Sequence, residues 1–161
     1  MGTGKSSVGR RLARAQGWPH FDTDEMIESA LGMSIREIFA TTGEERFREE
    51  ETAVLERLDA TQRAIVIAGG GAVLQSKNIR RMRELGTVVC LTADLATLST
   101  RLANRDDRPL LPAKNRVAQI EALLRERAPL YQQAADLIVD TSCLTHDEVA
   151  ESIRKSLGLS S

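Results

Sequence analysis

The residues Gly2-Thr3-Gly4-Lys5-Ser6-Ser7 open the chain with the makings of a phosphate cradle. Glycines let successive backbone N–H groups turn inward, and a helix starting at about Lys5 adds the positive end of its dipole behind them. In the pattern GxxxxGK[ST] the lysine reaches the β- and γ-phosphates and the following hydroxyl ligates Mg²⁺. Here those residues are Lys5 and Ser6. The competing reading is a glycine-rich turn that happens to precede a helix. Counting back from Gly4, the first glycine of the pattern falls before Met1, so only part of the motif is present.

A second group is "FDTD", with Asp22 and Asp24 two residues apart. At the end of a strand this spacing puts both carboxylates on one side, and in open α/β sheets ligands gather at the carboxyl ends of strands. One carboxylate can then hold a hydrated Mg²⁺ while the other orients a hydroxyl nucleophile or accepts its proton. The alternative is that both simply cap the next helix.

Three glycines, Gly69 to Gly71, form either a tight turn or a place where a ligand can approach the backbone closely. Arg48 in "GEERFREEE" has Glu44 and Glu51 at helical spacing, and Arg127 in "RERAPLY" precedes Pro129, which should kink its helix. Taken singly, both arginines read as ordinary solvated charges. Arginine nevertheless outnumbers lysine heavily, Lys5, Lys77, Lys114 and Lys155 being the only lysines among 22 basic residues. Planar guanidinium forks grip carboxylate and phosphate bidentately, which lysine cannot do.

Elements able to position these groups are legible between them. Val8, Leu12 and Ala15 recur at helical spacing before Gly17, which is a natural stop. A short strand ending at Asp22 leads into a helix with an acidic first turn that Gly32 closes. Ser34 and Glu37 form a capping box for another helix ending near Gly43, and a longer one runs from about Glu44 to Leu58. The runs Ala64–Ala68, Thr87–Thr92 and Leu137–Thr141 are short, apolar and β-branched, and the first is predicted to be a strand buried on both faces. Strands alternating with helices predict an α/β fold in three layers, a parallel sheet covered by helices on both faces. Thr145 with Glu148 makes a second capping box, and Val149, Ile153 and Leu157 give the last helix an apolar stripe. The stretch from about Arg105 to Arg116 holds two prolines among charges and is predicted to be a mobile lid.

At 161 residues the chain predicts a single domain over residues 1–161. A net charge of -1 and five aromatics supply neither the basic face nor the stacking platform of a nucleic-acid binder. No apolar run reaches the roughly 20 residues that span a bilayer, and no signal peptide is legible. A cytoplasmic monomer acting on a small molecule is expected. Cys90 and Cys143 have no metal-site spacing and read as a buried thiol and a loop thiol.

In chain order, GTGKS, FDTD, FRxxE as "FREEE", GGG, RPLL and RxPLY as "RAPLY" together resemble shikimate kinase, a P-loop small-molecule kinase of the nucleoside-monophosphate-kinase type. The resemblance implies transfer of the ATP γ-phosphate to the 3-hydroxyl of shikimate, a step towards aromatic amino acids, with ATP and Mg²⁺. It implies that Gly2, Thr3, Gly4, Lys5, Ser6 and Ser7 hold the phosphates and that Ser6 and Asp22 serve the metal. Asp24 would contact the reacting hydroxyl, Arg48 and Arg127 would clamp the shikimate carboxylate, and Gly70 would give a backbone contact to the ring hydroxyls. Glu51 would hold Arg48 in place, Arg108 on the lid would close over the phosphates, and Arg101 would lie against adenine. Lys5, Asp24 and Arg108 would form the catalytic set.

Members of that family carry a first strand in the middle of a five-stranded sheet. Its absence here predicts a central gap with unpaired backbone groups, each costing on the order of 1–3 kcal/mol when buried. It also leads to the expectation that Met1 is an internal methionine of a longer natural protein. Two other readings stay open on sequence: a related kinase such as a gluconate kinase, and a nucleotide-binding module inactive through the missing start.

Overall fold

The computed structural model describes residues 2–102 and 116–159. Helix α1 (Lys5–Gln16) starts behind Gly4, at φ 87°, and ends at Gly17, at φ 64°, both in the left-handed region that only glycine occupies without strain. Strand β1 (His20–Asp22) runs directly into α2 (Thr23–Leu31), which Gly32 closes. The predicted capping box is present at the start of α3 (Ile35–Thr41): Ser34 Oγ accepts from the Glu37 N–H, and the Glu37 carboxylate accepts from the Ser34 N–H. Helix α4 (Gly43–Arg57) follows, one residue earlier at each end than its sequence suggests. Ile27, Ile38, Phe47 and Val54 lock α2, α3 and α4 into a small core of their own.

Strand β2 (Ile65–Ile67) leads through the glycine run into a single 3₁₀ turn, Ala72–Leu74, and then α5 (Ser76–Leu85). Strand β3 (Val89–Thr92), α6 (Leu95–Leu102), α7 (Arg116–Ala134), β4 (Leu137–Asp140) and α8 (His146–Ser156) complete the described chain. The second predicted capping box, Thr145 with Glu148, opens α8. Val8, Leu12, Val139, Val149 and Ile153 pack α8 against α1 and β4. Helix α7 runs on through Pro129. Its last turns are held by packing, since Leu130, Tyr131 and Ala134 join Val73 and Ile79 in one apolar cluster.

The strands form two parallel pairs. β1 lies beside β2 with Asp22 opposite Ile67, and β3 lies beside β4 with Thr92 opposite Asp140. Among the described residues no ladder joins β2 to β3. A cavity of about 860 Å³ separates them, and every residue of both strands lines it, together with Val8 and Leu12 of α1 and Ile153 of α8. This is the central gap expected from the sequence. It also corrects one expectation: Ile65 and Val66 of β2 and all four residues of β3 are only half-buried, because one edge of each strand faces the cavity and has no neighbour.

The register of the first pair determines where the site forms. Because β1 and β2 end level with each other, the segments leaving them emerge side by side, and the Gly69 N–H donates to Thr23 Oγ1 at 3.2 Å. The first turn of α2 is thus fastened to the glycine run. The predicted lid from Arg105, with Arg108, lies outside the described residues up to the first residue of α7.

Candidate active site

The phosphate loop and the first aspartate meet at the start of α1. Gly2 and Gly4 both have positive φ, and Lys5, Ser6 and Ser7 form the first turn, whose N–H groups have no partner within the helix. Thr3 is buried, and its Oγ1 makes no hydrogen bond. Ser6 Oγ donates to Asp22 Oδ2 at 2.9 Å, while Asp22 Oδ1 accepts from the Asp24 N–H at 3.2 Å. One oxygen of Asp22 therefore caps α2, as the capping reading of "FDTD" has it for this residue, and the other turns to the loop serine. Asp24 sits in the first turn of α2, not on the strand, because β1 passes into the helix at Thr23 with no intervening loop.

Asp24 is brought to a second cluster. A methyl group built on Gly69 would lie 2.7 Å from Glu51 Oε1 and 3.0 Å from Asp24 Oδ1, so both carboxylates face this glycine. A methyl group on Gly71 would lie 2.2 Å from Arg48 Nη1. Glycine is needed at both positions for close approach, since Gly71 itself has an ordinary φ of -92°. Arg48 is buried, contrary to the solvated role its surroundings in the sequence suggest. Its Nη1 donates to Glu51 Oε2 at 2.9 Å, its Nη2 donates to Glu44 Oε1 at 2.8 Å, and its Cζ stands 5.1 Å from the centre of the Phe47 ring.

The electrostatics follow from these contacts. Burial acts most strongly on Arg48 and would lower its pKa, but the hydrogen bonds and charges of Glu44 and Glu51 overcome it and raise the pKa above the ordinary arginine value. Glu51 is fully buried and its Oε1 makes no hydrogen bond. Burial pushes its carboxyl above the usual range, with Asp24 adding to the rise and Arg48 and Arg127 opposing it. Arg127 is also buried, with an unpartnered Nε.

The glycine run has a donor-rich character. The Gly69 carbonyl accepts from the Ala72 N–H at 3.1 Å, the Gly70 carbonyl from the Tyr131 Oη at 2.7 Å, and the Gly71 carbonyl from the Leu74 N–H at 3.0 Å. No described residue accepts from the N–H groups of Gly70 and Gly71. With every carbonyl occupied and two N–H groups open, the turn suits the oxygen atoms of a ligand.

The other nominated residues divide. Arg101 on α6 is turned to the loop after β4, its Nη1 donating to Thr141 Oγ1 at 2.9 Å and its Nη2 to the Thr141 carbonyl at 2.8 Å. Arg108 lies outside the described residues. Two supporting residues were not foreseen: Thr23, which anchors Gly69, and Tyr131, which anchors Gly70. Both lie inside motifs quoted from the sequence, Thr23 in "FDTD" and Tyr131 at the end of "RAPLY", and Tyr131 stands four residues after Arg127 and therefore on the same helix face.

The donor set near the phosphate loop fits magnesium. Ser6 Oγ and Asp22 Oδ2 are a paired hydroxyl and carboxylate beside the helix N-terminus, and Mg²⁺ takes one or two such oxygens together with water and substrate phosphates. Among the described residues there is no cluster of three or more His, Cys, Asp or Glu side chains that would hold a metal by itself.

A family model described as Shikimate kinase matches residues 1–158. The chain belongs to the shikimate kinase family. Its members are ATP-dependent kinases. Shikimate kinase of Thermodesulfovibrio yellowstonii is 43% identical over 155 residues, which span 96% of this chain and 89% of that one. That of Moorella thermoacetica is 43% identical over 157 residues, spanning 98% and 90%. Among solved structures, shikimate kinase from Acinetobacter baumannii in complex with shikimate superposes with a TM-score of 0.93 at 34% identity, covering 98% of this kinase and 89% of that chain. A gluconokinase from Sinorhizobium meliloti, with a TM-score of 0.58 and 18% identity, shares the fold alone.

Proposed function

We propose that this kinase moves the γ-phosphoryl group of ATP to the 3-hydroxyl of shikimate, giving shikimate 3-phosphate and ADP. One observation supports the reading: Asp24 and the buried Arg48 both face the glycine turn, whose Gly70 and Gly71 N–H groups meet no acceptor among the described residues, and the charge of the buried Arg127 reaches Glu51 beside them. A small polyhydroxylated acid needs such a set, with cations for its carboxylate and hydrogen-bond partners for its hydroxyls.

In this mechanism Gly2, Thr3, Gly4 and the first-turn N–H groups from Lys5 to Ser7 bind the phosphates, and Lys5 neutralises charge on the β- and γ-groups. Ser6 and Asp22 would hold a magnesium ion, directly or through water, and the ion would supply neutralisation of phosphate charge. Arg48 and Arg127 clamp the acceptor carboxylate. Glu51 and Glu44 fix the Arg48 fork in one orientation. Asp24 hydrogen-bonds the 3-hydroxyl, aligns it with the phosphorus and takes its proton as the new P–O bond forms and the bond to ADP breaks. Arg101 borders the adenine, and Arg108 closes over the phosphates. The kinase acts as a single cytoplasmic domain and a monomer, with a small molecule as its acceptor; no described helix is long and apolar enough to cross a membrane.

The test is turnover with shikimate, gluconate and a nucleoside monophosphate, each under saturating ATP and Mg²⁺. Shikimate is expected to be the best acceptor by kcat/KM. Equal or better turnover with gluconate defeats the assignment.

A further inference from the structure

Beside Arg127 on α7 stands a polar group, Tyr131, to which the reaction described above gives no task. Tyr131 lies one helical turn beyond Arg127 on α7, and its hydroxyl donates to the Gly70 carbonyl at 2.7 Å. Its ring is seated among Val73, Ile79 and Leu130, so the hydroxyl is held from behind by packing. Burial raises the phenol above its ordinary pKa, against the charge of Arg127 and its hydrogen bond to the hydroxyl and the weaker charge of Arg48, with Cys90 adding slightly to the rise. The phenol is neutral in the working range and remains a donor.

The geometry of the peptide unit gives this bond a consequence. The Gly70 carbonyl and the Gly71 N–H belong to one planar trans peptide and point in opposite directions. A bond that pulls the carbonyl towards α7 therefore turns the Gly71 N–H away from α7. The Ala72 to Gly69 bond orients the preceding N–H, that of Gly70, in the same manner. Two neighbouring donors are thus set by two different anchors, one within the turn and one from a distant helix.

We infer that Tyr131 is a positioning residue for the acceptor: its hydroxyl aims the Gly71 N–H at an oxygen of shikimate and ties that donor to the helix carrying the Arg127 clamp. The orientation of that donor then depends on α7. A displacement of α7 that loosens the carboxylate clamp also loosens the donor.

This inference rests on the shikimate reading, and the experiment separates the two. Tyr131→Phe keeps the ring in its apolar cluster and removes only the hydroxyl. KM for shikimate is expected to rise about tenfold, as loss of one net hydrogen bond implies, with KM for ATP and kcat within roughly twofold. Combining it with Arg127→Ala should cost less than the product of the two single effects, since both act on one α7-to-turn unit. An unchanged KM for shikimate, or a parallel rise in both KM values, overturns the inference while wild-type turnover of shikimate leaves the function standing. If the wild-type kinase does not turn over shikimate, both fall. A second readout is spectroscopic: the Gly71 amide resonance should shift when shikimate is added to the wild-type kinase and shift less in Tyr131→Phe, and an equal shift in both overturns the inference.

Discussion

Replacing Gly71 by alanine should disable the acceptor clamp without touching any charged residue. At φ -92° the backbone accepts alanine freely, so the effect is steric alone. The new methyl group would stand 2.2 Å from Arg48 Nη1 and 2.5 Å from Cζ and Nη2. The guanidinium must retreat by roughly 1 Å to reach ordinary contact. Its bond to Glu51, at 2.9 Å, cannot survive that movement, and Glu51 is fully buried with no other cation hydrogen-bonded to it among the described residues. A hydrogen bond to a charged group is worth about 1.5–3 kcal/mol. Loss of a comparable contact to the substrate carboxylate predicts a rise in KM for shikimate of roughly 10- to 150-fold. The same loss within the protein predicts a fall in Tm of roughly 3–12 °C for a domain of this size. KM for ATP should stay within twofold, because the phosphate loop is held by α1 and Asp22. The assay is ADP release with each substrate titrated against saturating amounts of the other, beside a thermal melt. A Gly71→Ala enzyme whose KM for shikimate is unchanged would refute the placement of Arg48 and with it the clamp.

Other substitutions probe the remaining parts. Asp24→Asn should lower kcat by at least tenfold with little change in KM for ATP; near-normal turnover would demote Asp24 to an acidic first-turn residue of α2. Glu51→Gln tests the buried carboxyl by pH: because its pKa is raised by folding, stability falls as pH rises from the ordinary carboxylate range through the raised value, and the variant should lose that slope. An identical pH–stability curve for variant and wild type would show that Glu51 is not perturbed. Extending the chain by about ten residues ahead of Met1, enough for an apolar strand and a glycine, should raise Tm and tighten ATP binding by filling the cavity between β2 and β3. Unchanged values for both would show that the cavity does not accept a strand.

The local rules carried most of the fold. Both capping boxes, at Ser34 and Thr145, and the left-handed stops at Gly17 and Gly32 appear where side-chain chemistry alone requires them. What failed were expectations that depend on neighbours. The half-burial of β3 follows from the cavity along its edge, where no ladder joins it to β2 among the described residues, and no property of "TVVCLT" encodes that. Arg48 read as a solvated charge because its spacing to Glu44 and Glu51 is that of any exposed helix face; its burial comes from the glycine turn closing over it, a long-range contact. For Asp24 the sequence offered two placements, the end of the strand and the acidic first turn of the next helix, and the second is the one the structure adopts, β1 ending at Asp22 and α2 starting at Thr23. Tyr131 was visible as the last residue of "RAPLY", but its task was not, because its partner, the Gly70 carbonyl, is 61 residues away and carries no side-chain signature.

The central claim, a pocket that presents the 3-hydroxyl of shikimate to the γ-phosphate, is tested most directly by the product. Shikimate incubated with the kinase, ATP and Mg²⁺ should yield a single phosphate monoester whose phosphorus couples in the NMR spectrum to the proton on carbon 3. Absence of any ester, or an ester on a different hydroxyl, would contradict the account.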